Sequence, residues 1–193
     1  MSDENQPESF SVPECGFSPP VPFPDSYWIL PNRFLAGEYP GSPDEKKTLC
    51  KLESLALAGI RHIVDLTEAG ESKYSPTPLR RYDHLLSQIS PIVTWARFPI
   101  PDRGTIPKES IKVLLDHIDL HLARGVPVYV HCWGGHGRTG LVVGCWLARN
   151  GYGVEKEVFS FLARLRRNMP DGWKPSPEML AQKEIVRSWE KGQ

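Results

Sequence analysis

The sequence predicts an α/β domain: a central, mostly parallel, twisted sheet of four to five strands flanked by helices on both faces. Three observations carry this. Short apolar runs rich in branched residues, of which Val126-Pro127-Val128-Tyr129-Val130 is the clearest, alternate with stretches whose apolar residues recur at helical spacing. The breaks between them are short and rich in Gly and Pro, which suits crossover connections that cover a sheet on both sides. A length of 193 residues supplies one sizeable core and is too short for two independent ones.

Residues 1–26 are Pro, Ser, Glu and Phe in the main, with Pro19, Pro20, Pro22 and Pro24 crowded together, and read as a flexible Pro-rich N-terminal arm. Residues 27–193 are then a single domain. Tyr27 to Leu30 and Arg33 to Gly37 read as two short strands joined at Pro31-Asn32. Ser42 as N-cap with Pro43 behind it opens a helix whose inner face is Leu49, Leu52, Leu55 and Ala56, and Gly59 closes it. Ile60 to Leu66 is a buried strand that empties into a polar loop, residues 67–78, read as solvated or as a rim for substrate at the carboxyl edge of the sheet. Val93 to Ile100 is the next strand, and Pro99-Ile100-Pro101-Asp102-Arg103-Gly104 turns the chain out of it. Ile111, Leu114, Leu115, Ile118 and Leu122 mark a long helix from Pro107 to the stop at Gly125. The strand 126–130 follows, then a helix over 139–150 that is apolar nearly all round and hence buried. Two more helices are expected over 154–168 and 176–189.

Composition excludes several classes of function. Basic and acidic residues number 23 each, so no net field draws the chain to nucleic acid, and anion selectivity has to be local. No stretch holds the ~20 uninterrupted apolar residues of a membrane span, and the acidic, Pro-rich start does not read as a signal peptide. Cys15, Cys50, Cys132 and Cys145 are widely spaced, without zinc-ribbon pairs or the density of a disulfide scaffold, which suits free thiols in a cytoplasmic protein. A monomer is expected.

The candidate site is the run His131-Cys132-Trp133-Gly134-Gly135-His136-Gly137-Arg138-Thr139-Gly140, between the last strand and the buried helix. Such a junction aims unpaired backbone N–H groups and the positive end of a helix dipole at one spot, and glycines let the backbone curl around a phosphate. A helix N-terminus with an adjacent guanidinium also favours the thiolate, the nucleophilic form of cysteine. The fork of Arg138 suits the oxygens of a phosphoryl group. Attack by Cys132 on phosphorus expels an oxyanion that needs a proton, and Asp102, on its Pro- and Gly-braced turn, is the candidate donor.

His-Cys-x5-Arg-Thr-Gly over His131 to Gly140 resembles the signature of the cysteine-dependent protein tyrosine and dual-specificity phosphatase superfamily. Phe98 to Gly104 resembles the mobile acid loop of its compact members, those of the cyclin-dependent-kinase-associated phosphatase branch. The resemblance runs from about Tyr27 to Trp189. It implies a dual-specificity-phosphatase-like fold with Cys132 as nucleophile, Arg138 as phosphate clamp and Asp102 as acid. It further implies that Thr139 offers its hydroxyl to the sulfur and that His131 orients the loop. Trp133, Gly134, Gly135, His136 and Gly137 would form the cradle, and neither metal nor cofactor is implied. Expected substrates are phosphotyrosine in proteins, with or without phosphoserine and phosphothreonine; inositol phosphates or phosphoinositides are the alternative, and a catalytically silent phospho-binding module is the alternative of another class. His136 could attract a second phosphate if partly protonated, or face solvent. Gln182 is either a water-positioning residue or an exposed helix residue. A nucleoside-triphosphate loop is disfavoured because the Lys it needs is Arg138, and a zinc site of His131, Cys132 and His136 lacks a fourth ligand.

Overall fold

The computed structural model describes residues 19–71, 80–153 and 156–193. Its strands are β1 (Ser26–Leu30), β2 (Phe34–Gly37), β3 (His62–Asp65), β4 (Thr94–Arg97) and β5 (Val128–His131). Strand alternation decides which side chain enters which core. Tyr27, Ile29, Phe34, Ala36, Val64, Val128 and Val130 face one cluster, whereas Trp28, Leu35, Ile63 and Tyr129 face the other. The strands lie in the order β1-β2-β5-β3-β4, with β1 antiparallel to β2 and the remaining pairs parallel. This is the predicted mostly parallel sheet, with five strands of the four to five expected, and β5 occupies its centre.

Helices α1 (Glu45–Leu57) and α2 (Leu86–Ile89) cover one face; α3 (Lys108–Ala123), α4 (Gly137–Arg149), α5 (Lys156–Arg166) and α6 (Leu180–Arg187) cover the other. Burial of α4 from Arg138 to Ala148 follows from its being wedged between the sheet and α5 and α6. At Gly144 the packing is so close that a Cβ would come within 2.8 Å of Val186 on α6. Left-handed backbone at Gly59, Gly125 and Gly151 ends α1, α3 and α4 where the sequence places the stops.

Several boundaries differ from expectation, each for a local reason. The N-cap of α1 is Asp44, whose carboxylate accepts from Lys46 N–H, because the Ser42 hydroxyl instead accepts from Asp44 N–H. Ser176 does not open the last helix, since its hydroxyl donates to the His136 carbonyl at 2.8 Å; α6 begins at Leu180, with the Gln182 amide oxygen accepting from Met179 N–H at 3.1 Å. Successive turns from Arg166 to Lys174 stop α5 before residue 168. A 3₁₀ turn, Asp83–Leu85, and α2 went unpredicted, because the apolar run there is too short to show a period. Of the expected arm, residues 1–18 lie outside the described residues; Phe23 is 8% exposed and packs into the second cluster.

Candidate active site

Strand β5 carries His131 and Cys132 to its carboxyl end, and alternation sends them to opposite faces of the sheet. His131 is fully buried on the α1/α2 side. Its Nδ1 lies 3.1 Å from the Cys132 carbonyl, which can only accept, so Nδ1 bears the proton and Nε2 accepts from the Tyr82 hydroxyl at 2.5 Å. Tyr82 in turn accepts from the Trp95 indole at 3.1 Å. Burial lowers the pKa of His131 and raises that of Tyr82 well above the phenol value, so this chain of neutral groups holds the loop without a charge.

Beyond Cys132, which is 3% exposed, the loop is pinned to the end of β2. Tyr39 N–H donates to the Trp133 carbonyl at 2.7 Å. Gly135 has φ 72°, and a Cβ there would lie 2.7 Å from the Gly37 carbonyl carbon, so only glycine fits. Helix α4 starts at Gly137, two residues earlier than its apolar pattern suggests, which puts Arg138 and Thr139 in its first turn.

Arg138 is the most heavily engaged group of the site. Its NH1 and NH2 form a two-pronged pair with Glu71 at 2.6 and 2.7 Å, NH1 also donates to the Ile100 carbonyl at 3.2 Å, and NH2 lies 3.1 Å from the Asp102 carboxylate. Both partners of the Arg138–Glu71 pair are buried, at 2% and 4% side-chain exposure. Burial by itself would discourage the charge on Arg138; the hydrogen bonds and charge of Glu71, with Cys132 and Asp102, outweigh it and hold the group above its ordinary pKa. The NH1/NH2 edge thus belongs to Glu71, and Asp102 approaches NH2 alone.

Asp102 is half exposed on its turn, which is closed by Gly104 N–H donating to the Pro101 carbonyl at 2.8 Å. Gln182, expected to be exposed unless it had a role at the site, is fully buried. Its amide nitrogen donates to the Gly104 carbonyl at 2.9 Å, and its amide oxygen lies 3.4 Å from where a Gly137 Cβ would stand. It therefore couples the acid turn to the start of α4. Thr139 is fully buried and its hydroxyl has no partner among the described residues.

His136 is neither solvent-facing nor directed at a second phosphate. Its Nδ1 accepts from Arg166 NH2 at 2.8 Å and its Nε2 donates to Asp171 at 2.8 Å. Burial, with Arg166 and Lys174, lowers its pKa against the pull of Asp171, so the ring is held neutral. Glu71, Tyr82, Arg166 and Asp171 are functional neighbours that the sequence did not single out. Glu71 lay in the loop read as solvated or rim; its carboxylate is instead buried against Arg138, while residues 72–79 of that loop lie outside the described residues. Val158-Leu162-Arg166 and Gln182-Val186-Trp189 are buried stripes at helical spacing, which is the signal that could have found Arg166 and Gln182. No described helix is long and apolar enough to cross a membrane.

Residues 24–186 match the family model described as Swiss Army Knife protein, DSP-PTPase phosphatase domain. A curated relative, "Putative tyrosine phosphatase 067L" of Invertebrate iridescent virus 3, is 34% identical over 106 residues, 51% of this chain and 38% of that protein. The chain spans less than half the length of that relative and of a Methanocaldococcus jannaschii protein it also matches, of which 49% is covered. Among solved structures, Tk-PTP in its active form superposes with a TM-score of 0.64 at 24% identity, covering 87% of this chain and 97% of the other. Kinase-associated phosphatase with its catalytic cysteine replaced by serine gives 0.64 at 20% identity, over 79% and 83% of the two chains.

Proposed function

The chain belongs to the DSP-PTPase phosphatase domain family of the Swiss Army Knife type, and from that premise we propose that it hydrolyses phosphomonoesters without a metal, through a cysteinyl-phosphate intermediate. The observation that carries the reading is Cys132 and Arg138 at the two ends of one glycine loop, with Arg138 clamped by Glu71 and touched by Asp102.

In the first step the Cys132 sulfur attacks phosphorus, the bond to the ester oxygen breaks with its electron pair, and Asp102 gives that oxygen a proton. In the second, water attacks phosphorus and passes a proton to the Asp102 carboxylate, and the sulfur leaves with help from the Thr139 hydroxyl. Arg138 and the N–H groups from Trp133 to Gly137 meet the charge that spreads over the equatorial oxygens. Gln182 holds the acid turn beside this cradle.

Phosphotyrosine in proteins, with phosphoserine and phosphothreonine, is the substrate class proposed. The inositol reading loses the support that His136 lent it, because both ring nitrogens are taken and the ring is neutral. The test is kcat/KM for phosphotyrosine peptide, phosphothreonine peptide and a phosphoinositide, each in EDTA. Turnover of the peptides is expected. A need for added divalent metal would overturn the mechanism, and a preference for the lipid would overturn the substrate class.

A further inference from the structure

Away from the Cys132 loop, three of the chain's six histidines converge at the opposite edge of the sheet. His62 opens β3, whose far end, Asp65, pairs with His131. His117 and His121 lie one turn apart on α3. One ring nitrogen from each lies within 4.8 Å of the other two. His62 is 3% exposed, and the other two are half-buried.

The hydrogen bonds fix which nitrogens are on offer. The Thr94 hydroxyl donates to the Arg61 carbonyl at 3.2 Å. At 2.7 Å from His62 Nδ1 it therefore accepts, leaving Nε2 of that ring with its lone pair. The His117 carbonyl accepts from His121 Nδ1–H at 2.9 Å, so the Nε2 of a neutral His121 is likewise an acceptor. Donation of Nδ1–H to oxygen while Nε2 faces inward is the outer-shell pattern that orients metal-bound histidines. His62 Nε2 stands 2.8 Å from His117 Nε2, close to the roughly 3.3 Å that separates two nitrogens on a tetrahedral zinc ion. Three neutral imidazoles without a carboxylate suit borderline transition ions rather than Mg²⁺ or Ca²⁺.

We propose that His62, His117 and His121 form a three-histidine site for a zinc-class divalent cation, with a fourth position open to water, that ties β3 to α3 at the edge remote from the catalytic loop. Uptake moves the His117 Nε2 proton to its Nδ1 through solvent. It also turns the His121 ring out of its 3.9 Å, 14° stack on His62, because parallel rings cannot both point in-plane at one ion.

The test uses the full chain in a Cys15→Ser, Cys50→Ser, Cys132→Ser background, which removes every thiol except Cys145, buried in α4, after stripping with chelator. Titration with Co²⁺ should give the visible absorption of tetrahedral N-ligated cobalt, saturating at one equivalent. Zn²⁺ at ~100-fold over its Kd should raise Tm by about 5–10 °C. His117→Ala and His121→Ala, at half-buried helix positions, should abolish both signals while keeping the circular dichroism of the parent. Thr94→Val should weaken binding by about 10- to 100-fold. Restored to Cys132, the two helix variants should hydrolyse aryl phosphate as the parent does. Failure of the parent to take up either ion overturns the proposal, as does one-equivalent binding that survives both helix variants.

Discussion

Replacing Glu71 by Gln asks how much of the arginine clamp depends on a residue that never touches phosphate. The carboxylate makes two charge-assisted bonds to Arg138 at 2.6 and 2.7 Å. A Gln amide keeps one acceptor and turns an NH₂ toward a guanidinium that only donates. The loss is one bond of roughly 1.5–3 kcal/mol, short of the ~3–5 kcal/mol for stripping a buried charge of its partner, since the Ile100 carbonyl and Asp102 remain. We expect urea midpoints to report about 1.5–3 kcal/mol of destabilisation. Freed from its two-pronged hold, the guanidinium shifts against the phosphoryl oxygens, and a slip of ~1 Å costs about 100-fold in rate. The expected fall in kcat/KM for an aryl phosphate is therefore between about 10- and 100-fold, or ~1.4–2.7 kcal/mol of transition-state binding. Glu68→Gln, an exposed change three residues away, should stay within about 0.5 kcal/mol on both measures. Should Glu71→Gln lose the predicted stability yet keep kcat/KM within twofold, Arg138 is held independently of Glu71 and the positioning argument fails.

Three further outcomes follow from the site. Cys132→Ser should bind an aryl phosphate and release no product; turnover near that of the parent removes Cys132 as nucleophile. Asp102→Asn should slow alkyl and other poor leaving groups by about 100-fold or more while sparing activated aryl esters, and equal losses on both would count against the acid. For His136 the folded pKa lies below the ordinary 6.5, so below pH 6.5 the unfolded chain binds more protons than the native one and stability falls with pH. His136→Gln should flatten the decline of Tm between pH 7 and the folded pKa; an unchanged slope means the ring does not resist protonation.

Periodicity made the elements that bury one continuous face legible in the sequence: α3 through Ile111, Leu114, Leu115, Ile118 and Leu122, and β5 through its branched run. The loop was legible because the cysteine, glycines and arginine that its chemistry needs are contiguous. Glu71 was not, since nothing local separates it from Glu68, and only the fold brings it to Arg138, 67 residues on. His136 was left open between two roles because its partners, Arg166 and Asp171, sit 30 and more residues away, and the sequence says nothing of a ring's neighbours. Gln182 was left open for the opposite reason. It was weighed as a single polar residue, when its spacing from Val186 and Trp189 marked the buried side of a helix.

If Arg138 clamps the phosphate as proposed, the 3.1 Å approach of Asp102 to Arg138 NH2 makes the resting protein its own competitive ligand. An incoming phosphate would then meet a guanidinium whose NH2 Asp102 already approaches and whose NH1/NH2 edge Glu71 holds. Measured affinity is then the intrinsic affinity scaled by the fraction of molecules in which the aspartate has swung away. On the proposed mechanism, neutralising Asp102 acts twice, in opposite senses: it removes the proton donor from the second half of the encounter and clears the doorway for the first. The slow variant and the tightly binding variant should be one and the same protein.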